Sequence, residues 1–358
     1  MRGPAKTLSV MLTLRTLAVA GIGALLAWGL NTPVYMLLGP ALAVSLASLG
    51  GLRSAVDPRL RDICFVVLGV AVGTGFDRDA LGTMLRWPMA FLFMAGVIWA
   101  IVILCRIMLV RFFRFDARSA ILAAAPGHLS FVIAAAGETG SDVARISITQ
   151  SVRLLCLTLI VPFVALAMGL EVSGNIAPQG DPMSLPLMVG VFAVAVLVGL
   201  LFRRLSVPAP LLMGAMVCSA LAQLTGVSPG VLPSWLVLPA YLTLGALIGT
   251  RFSGMTPAHL TSGLAAGLAI TGVATVLAGA GAVPVAWALD MPVAHVLIAF
   301  APGGFETMIA MGAVLGVVPG FVAACHMARL LVLTVLLPAM LAREARQDQS
   351  VSRLSGTP

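Results

Sequence analysis

The sequence predicts an all-α, polytopic membrane protein of two inverted repeats, with about ten transmembrane helices and a broken or re-entrant helix in each half. Of the 358 residues, 60% are apolar and only 9% are charged. Soluble domains have about 45–50% apolar and about 25% charged residues. The apolar residues also form runs close to the ~20 residues that a helix needs to cross a bilayer. Finally, the chain matches itself at an offset of 176 residues.

The apolar runs predict helices rather than the strands of a membrane barrel. Residues 88–105 and 185–202 are apolar almost without interruption, whereas barrel strands alternate apolar and polar residues. Residues 1–30 resemble a signal peptide, because basic residues precede an apolar stretch. This stretch has a counterpart in the middle of the chain, so we expect it to be retained as the first helix.

An internal duplication is visible when the chain is compared with itself. Residues 121–162 and 297–338 share 13 identities in 42 ungapped pairs. The shared residues include Pro, Gly and Arg, which seldom match by chance between two apolar helices. We therefore predict a first membrane repeat over 12–170, a second over 184–341 and a polar cytoplasmic tail over 342–358.

Each half contains six apolar segments, and the charges of the loops predict how many of them cross. Residues 51–61 contain three arginines and the matching 227–235 none, while 106–118 contains four and the matching 288–292 none. Because cytoplasmic loops collect Lys and Arg, the halves face opposite ways, which requires an odd number of crossings in each. We predict five crossings per half and both termini in the cytoplasm. Arg78 and Arg86 are exceptions to this charge rule, because this topology places them outside the cytoplasm.

The fifth segment of each half, 119–137 and 293–315, is predicted to be the one that does not cross. Proline removes a backbone donor and clashes with the preceding turn, and freed backbone at membrane depth must be buried in protein or line a watered cavity. An ordinary span kinked by proline is the alternative. The interrupting residues are Pro126 and Gly127 in the first half and Pro302, Gly303 and Gly304 in the second.

Two arginines occupy the same repeat position inside apolar runs. Arg153 and Arg329 lie within the last segment of each half, where an ionisable group at the bilayer centre costs roughly 2.5–3.5 kcal/mol. They are predicted either to face a central cavity that receives an anion or a carboxylate, or to form structural ion pairs, for instance with Glu306 or Asp142.

Polar residues also follow the two breaks. Glu306 and Thr307 come directly after the second break, and His128 and Ser130 accompany the first. A helix that restarts at a break directs free N–H groups and a positive dipole end into it, which attracts an anion. Glu306 has two other possible roles, as the N-terminal cap of that helix or as a proton-coupling carboxylate.

Gln150 and His326 share a repeat position one turn before the arginines and are expected on the face that lines the same cavity. The residues predicted to form a solute pathway are Ser130, Arg153, Glu306, Thr307, His326 and Arg329.

Several other functions are not expected. The five cysteines lie singly within apolar runs and the four histidines are scattered, so neither disulfides nor a metal site are predicted. No nucleotide-binding loop or catalytic elbow is present. We expect no cofactor, no enzymatic activity and no direct contact with nucleic acid. The expected partners are the lipid bilayer and a small solute or ion, with homo-oligomerisation left open.

The repeated motifs resemble those of the AbrB family, bacterial membrane proteins with a tandem duplication that are also labelled as an ammonia monooxygenase. The resemblance covers roughly 12–341. It implies a multi-pass protein of the bacterial inner membrane and, by the family's usual description, a regulator of gene expression. The motifs are Ala125-Pro126-Gly127…Gly140…Gln150-Ser151-Val152-Arg153 and Ala301-Pro302-Gly303-Gly304-Phe305-Glu306…Gly316…His326-Met327-Ala328-Arg329.

Three functions are consistent with these features. The first is a transporter-like protein that moves a small solute or ion. The two arginines would suit an anionic solute. The second is a membrane sensor that alters gene expression indirectly, through a partner. The third, an oxygenase, would need a metal-ligand cluster that the sequence lacks.

Overall fold

A computed structural model describes residues 4–76, 87–127, 129–170, 180–255 and 257–355. In these ranges the chain forms fourteen α-helices and a short 3-10 helix, so the all-α prediction is confirmed. The helices are α1 (Pro4–Gly29), α2 (Tyr35–Leu49), α3 (Pro58–Gly73), α4 (Trp87–Phe113), α5 (Ala117–Ala124), α6 (Leu129–Glu138), α7 (Val143–Ala167), α8 (Leu185–Arg204), α9 (Pro210–Leu224), α10 (Ser234–Gly249), α11 (Pro257–Leu289), α12 (Val293–Phe300), α13 (Phe305–Val314) and α14 (Pro319–Ser355), with the 3-10 helix at Thr250–Phe252.

The helix bounds repeat along the chain. A shift of 176 residues places α3 on α10, α5 on α12 and α6 on α13 without any difference in their ends. Within the described residues, the two halves contain corresponding helices in the same order, α1–α7 and α8–α14. The repeat that the sequence shows at scattered Pro, Gly and Arg positions thus extends to the lengths of the helices.

Helix α3 and its counterpart α10 run in opposite directions. The Sγ atom of Cys64, within α3, donates to the carbonyl of Ala240, within α10, at 3.0 Å. The backbone N–H of Ser54 donates a hydrogen bond to Oγ of Ser253 at 2.9 Å. Ser54 lies just before α3 and Ser253 just after α10, so the start of one helix lies beside the end of its counterpart. This is the arrangement of inverted repeats, which recurs among secondary transporters.

Glycines bring the two halves into close contact. A Cβ atom on Gly69 of α3 would lie only 2.4 Å from the carbonyl oxygen of Leu212 on α9. In the equivalent contact, a Cβ on Gly245 of α10 would lie 2.5 Å from the carbonyl oxygen of Leu37 on α2. Small residues allow helix backbones to approach in membranes, and the same approach is used twice here.

In the part of the chain that the structure describes, seven helices are long and apolar enough to cross a membrane, namely α1, α4, α7, α8, α10, α11 and α14. The multi-pass prediction is therefore confirmed. Helices α2 and α9 have 15 residues and α3 has 16, which is about 23 Å of helix against ~30 Å of hydrocarbon. The count of ten crossings stays a prediction, and Arg78 and Arg86 lie outside the described residues.

The fifth segment of each half is broken, as predicted, and not a single kinked helix. In the first half of the protein, one helix of the broken segment ends at Ala124 and the next begins at Leu129. In the second half, the corresponding residues are Phe300 and Phe305. In the first half the chain turns back, because the N–H of Asp142, after α6, donates to Oγ of Ser119, near the start of α5, at 3.2 Å.

The second half turns back in the same way. A Cβ on Gly312 of α13 would lie 3.8 Å from Cγ2 of Ile298 on α12, a separation that a continuous helix could not give to residues fourteen positions apart. Both segments are therefore helical hairpins. That they enter the membrane without crossing it, which would give an odd number of crossings in each half, stays a prediction.

The Gly69→Ala variant is expected to unfold at a lower temperature than the wild type, because overpacking costs about 1–3 kcal/mol and the new methyl group would meet a backbone carbonyl. Gly21→Ala is the control, since nothing lies within 4 Å of the Cβ position of Gly21. Alanine is more favourable than glycine in a helix by about 0.8–1.0 kcal/mol, so this variant is not expected to lose stability. Thermal unfolding in detergent compares the two variants. Equal stability would contradict the close approach of α3 and α9.

Inversion also predicts opposite labelling of two equivalent loops. With the five native cysteines replaced, single cysteines are placed at the exposed positions Arg114 and Asp290. We expect a membrane-impermeant maleimide to label Arg114→Cys only in inverted vesicles and Asp290→Cys only in intact cells. Labelling of both from one side would show that the copies are parallel.

Candidate functional site

A polar cavity of about 180 Å³ lies where the two breaks meet. Both halves contribute to its wall, including a glycine from each break, Gly127 and Gly304. The polar side chains that line it are Gln150, Arg153, Arg251 and Glu306, and the apolar ones include Leu154, Phe305 and Leu330. Polar groups are thus concentrated inside an otherwise apolar helical bundle.

The first break is held by two side chains of α7. Arg153, which is 1% exposed, donates from Nη1 to the carbonyl of Ala125 at 3.0 Å and from Nη2 to the side-chain oxygen of Gln150. Gln150 in turn donates from Nε2 to the carbonyls of Leu122 and Ala125, at 3.0 and 2.9 Å. The last carbonyls of a helix have no partner within it, so these two side chains complete the end of α5.

Arg329 does the same for the second break and also contacts the first. It donates from Nη1 to the carbonyl of Ala301 at 2.9 Å and from Nη2 to that of Gly303 at 3.0 Å. Its guanidinium lies against Gly127, where a Cβ would be 3.4 Å from Nη2. Gly127 has a φ of 104°, a conformation that glycine adopts far more readily than other residues.

The predicted ion pairs with Glu306 and Asp142 do not form. Within the described ranges, the salt bridges are Arg61–Asp62 and Arg106–Glu344. Asp142 instead accepts a hydrogen bond from the N–H of Arg145 at 3.0 Å and so caps α7. Carbonyl oxygens, rather than carboxylates, therefore receive the two buried guanidinium groups.

Glu306 does not cap its helix either. The N-cap of α13 is Gly304, without a side-chain bond, and Glu306 lies in the first turn. Among the residues whose side chains are described, none forms a hydrogen bond or salt bridge with the Glu306 carboxylate. It is half-buried and borders the cavity, so the remaining interpretations are those that give it a role there.

Two of the other predicted residues, His326 and Thr307, do not line the cavity. His326 is fully buried, with its ring centroid 6.3 Å from that of Phe305. Thr307 is buried in the first turn of α13. The side chains of His128 and Ser130 lie outside the described residues. Of the six predicted pathway residues, Arg153 and Glu306 border the cavity, and Arg329 lies against its Gly127 wall.

Arg251 is the charged cavity residue that sequence reasoning missed. It lies in the 3-10 helix after α10, where the repeat position in the first half is Gly75. An arginine directly after an apolar run, between the repeated Thr250 and Phe252, was a usable signal. Ala209, the N-cap of α9 with a φ of 45°, also lines the cavity and carries no signal in the sequence.

The cavity has a positive electrostatic character. The N-terminal residues of α13 and the N-cap of α9 border it, and each helix N-terminus acts as roughly half a positive charge. Arg153 and Arg251 add two full charges, against one negative charge from Glu306. Such an arrangement can hold an anion.

A metal site is not formed by the described residues, because no three His, Cys, Asp or Glu side chains lie close enough to share an ion.

The chain was compared with known proteins. The family model described as Transition state regulatory protein AbrB matches residues 36–343. The chain belongs to the AbrB family. It is 31% identical over 167 residues to "Putative regulator AbrB" of Escherichia coli (strain K12), a match that spans 45% of this chain and 46% of that protein. It is 25% identical over 295 residues to "Uncharacterized protein YhjN" of Bacillus subtilis (strain 168), covering 76% and 75%.

The AbrB-family match includes both breaks, both buried arginines and every charged residue of the cavity. The resemblance of the repeated motifs is thereby confirmed. The chain covers about half the length of the Escherichia coli relative, whose name says only that it is a regulator.

The Arg329→Met variant of this AbrB-family protein is expected to lose stability, because it leaves the carbonyls of Ala301 and Gly303 without a donor. Each unsatisfied buried group costs about 1–3 kcal/mol. Arg329→Lys is expected to be intermediate, since a single ammonium does not reproduce the planar fork. Arg343→Met, at an exposed position of the same helix, is the control. If Arg329→Met and this control unfold at the same temperature, the stabilising role of the Arg329 hydrogen bonds is refuted.

Proposed function

We propose that this AbrB-family protein is a transporter-like carrier of a small solute or ion across the bacterial inner membrane, with the cavity between the breaks as its solute site. The observation that carries the proposal is the polar cavity itself, which is walled by charged side chains from both halves. An ionisable side chain within a membrane span is costly and indicates a functional site, and Arg153, which borders the cavity, is 1% exposed.

The architecture around the cavity supports a carrier. In secondary transporters with inverted repeats, the solute site lies at the interface of the repeats and is formed by discontinuous helices. Here both breaks contribute to the cavity, and α3 and its counterpart α10 run in opposite directions. Backbone freed from helical bonding at this depth is compatible with a membrane when it lines a cavity or is buried in protein.

The position of the cavity supports access from one side. Pro208 and Ala209, before α9, and Arg251, after α10, border it. Ser253, only two residues beyond Arg251, bonds to Ser54 in the loop before α3. Arg53 lies in that loop, and Arg59 and Arg61 lie in the first turn of α3, which favours the cytoplasmic side. We infer that this conformation presents the cavity toward the cytoplasm.

A membrane-embedded regulator is the second candidate function, because the family description and the name of the Escherichia coli relative both say regulator. Helix α14 extends to Ser355, and Glu344 on this extension pairs with Arg106 of α4. In this function, a partner bound to the extension would respond to a change in the bundle.

The carrier proposal is tested with the purified full-length chain in proteoliposomes. The initial uptake of labelled acetate, propionate, phosphate, sulfate and rubidium is compared with that of protein-free vesicles. We expect uptake of at least one probe, and an at least tenfold lower rate for Arg251→Gln, because this residue contributes a charge to the cavity. Arg203→Gln, at an exposed position at the end of α8, is expected to stay within twofold of the wild type.

Uptake of no probe above the protein-free vesicles would contradict the carrier and favour the regulator. Equal rates for Arg251→Gln and the wild type would remove the cavity from the pathway.

A further inference from the structure

We propose that the cavity selects a monovalent organic anion, a short monocarboxylate, and that Glu306 is the residue that rejects divalent anions. The identity of this ligand as the transported solute rests on the proposed carrier function. The binding itself rests on the charges, the burial and the shape of the cavity.

Attraction for an anion comes from both halves. Arg153 is 1% exposed, and its Nε has no hydrogen-bond partner among the described residues, so the carbonyl of Ala125 and the oxygen of Gln150 leave part of its donor capacity unused. Arg251 borders the cavity from the other half. The first turn of α13 adds N–H groups that have no partner within the helix.

The carboxylate of Glu306 limits how much negative charge the cavity accepts. Two guanidinium groups and one carboxylate line it, and Arg329 lies against its Gly127 wall. Glu306 is therefore the one negatively charged side chain among the described residues that border the cavity. A divalent anion would place twice the negative charge of a monocarboxylate next to Glu306, whose carboxylate has no salt-bridge partner in the described part of the chain. Like charges at short range repel, and salt and water screen a half-buried group such as Glu306 less than an exposed one.

The size and the apolar part of the wall favour a short alkyl chain over a bare inorganic ion. The cavity measures about 180 Å³, below the 300–1,000 Å³ of sites for drug-sized ligands. Leu154, Leu330 and Phe305 form part of its wall. These side chains can contact the methyl or ethyl group of acetate or propionate, while the carboxylate lies among the charged groups.

Calorimetric titration of the full-length chain in nanodiscs with propionate and with sulfate, at matched ionic strength, tests the selectivity. We expect the wild type to bind propionate at least tenfold more tightly than sulfate. Glu306→Gln is expected to reduce this preference at least tenfold, mainly by strengthening sulfate binding. Arg251→Gln is expected to weaken both ligands at least tenfold.

Two further variants make the result specific. Glu306→Asp retains the negative charge and is expected to retain the preference for propionate. Glu138→Gln removes an exposed carboxylate at the end of α6 and is expected to bind like the wild type. An unchanged propionate-to-sulfate ratio in Glu306→Gln, or loss of the preference in Glu306→Asp, would overturn the assignment of Glu306. Wild-type affinities in Arg251→Gln would overturn the site.

The two proposals fail in different experiments. Titration needs no gradient, so a selectivity change without any uptake of propionate into vesicles would support the anion site and contradict the carrier. Uptake of rubidium alone, with no binding of propionate, would support a carrier and overturn the anion site.

Discussion

The hydrogen bonds from two buried arginines to the ends of the broken helices are the interaction on which this structure depends. A helix that stops inside a bilayer exposes carbonyl groups that lipid cannot satisfy. Arg153 and Arg329 reach the equivalent carbonyls of Ala125 and Ala301. Without these donors the chain could not remain interrupted at this depth, and the two breaks could not enclose a cavity.

The same arrangement determines the sign of the cavity. The arginines neutralise the negative, C-terminal ends of α5 and α12, and this leaves the positive, N-terminal end of α13 at the cavity. A structural role and an electrostatic role are therefore combined in one side chain at Arg153. Glu306 then moderates the positive potential from a position where it has no structural bond among the described residues.

Much of the fold could be predicted from the sequence, because it depends on local chemistry. Pro126 and Pro302 interrupt helices wherever they stand within one, and the glycines repeated at Gly69 and Gly245 indicate close helix contacts. The inverted charge of equivalent loops predicted opposite orientations, and the contact between Ser54 and Ser253 agrees with it.

The site was predicted less completely, because its geometry depends on contacts between distant segments. Nothing local distinguishes an arginine that bonds to carbonyls from one that pairs with a carboxylate, so the predicted partners Glu306 and Asp142 were wrong for Arg153 and Arg329. His326 shares a repeat position with Gln150 but does not line the cavity. Arg251 and Ala209 border the same cavity although they are far apart in the sequence.

The paired glycine contacts also bear on how such a protein could arise. One half contains both surfaces of the contact, the glycine face of α3 and, on α2, the counterpart of the surface on α9 that receives it. Two separate copies of an unfused half, inserted into the membrane in opposite orientations, would therefore present each other with complementary surfaces. Gene fusion would then preserve an existing antiparallel homodimer, and later divergence would let the two copies carry different residues at one repeat position, as Ser130 and Glu306 do.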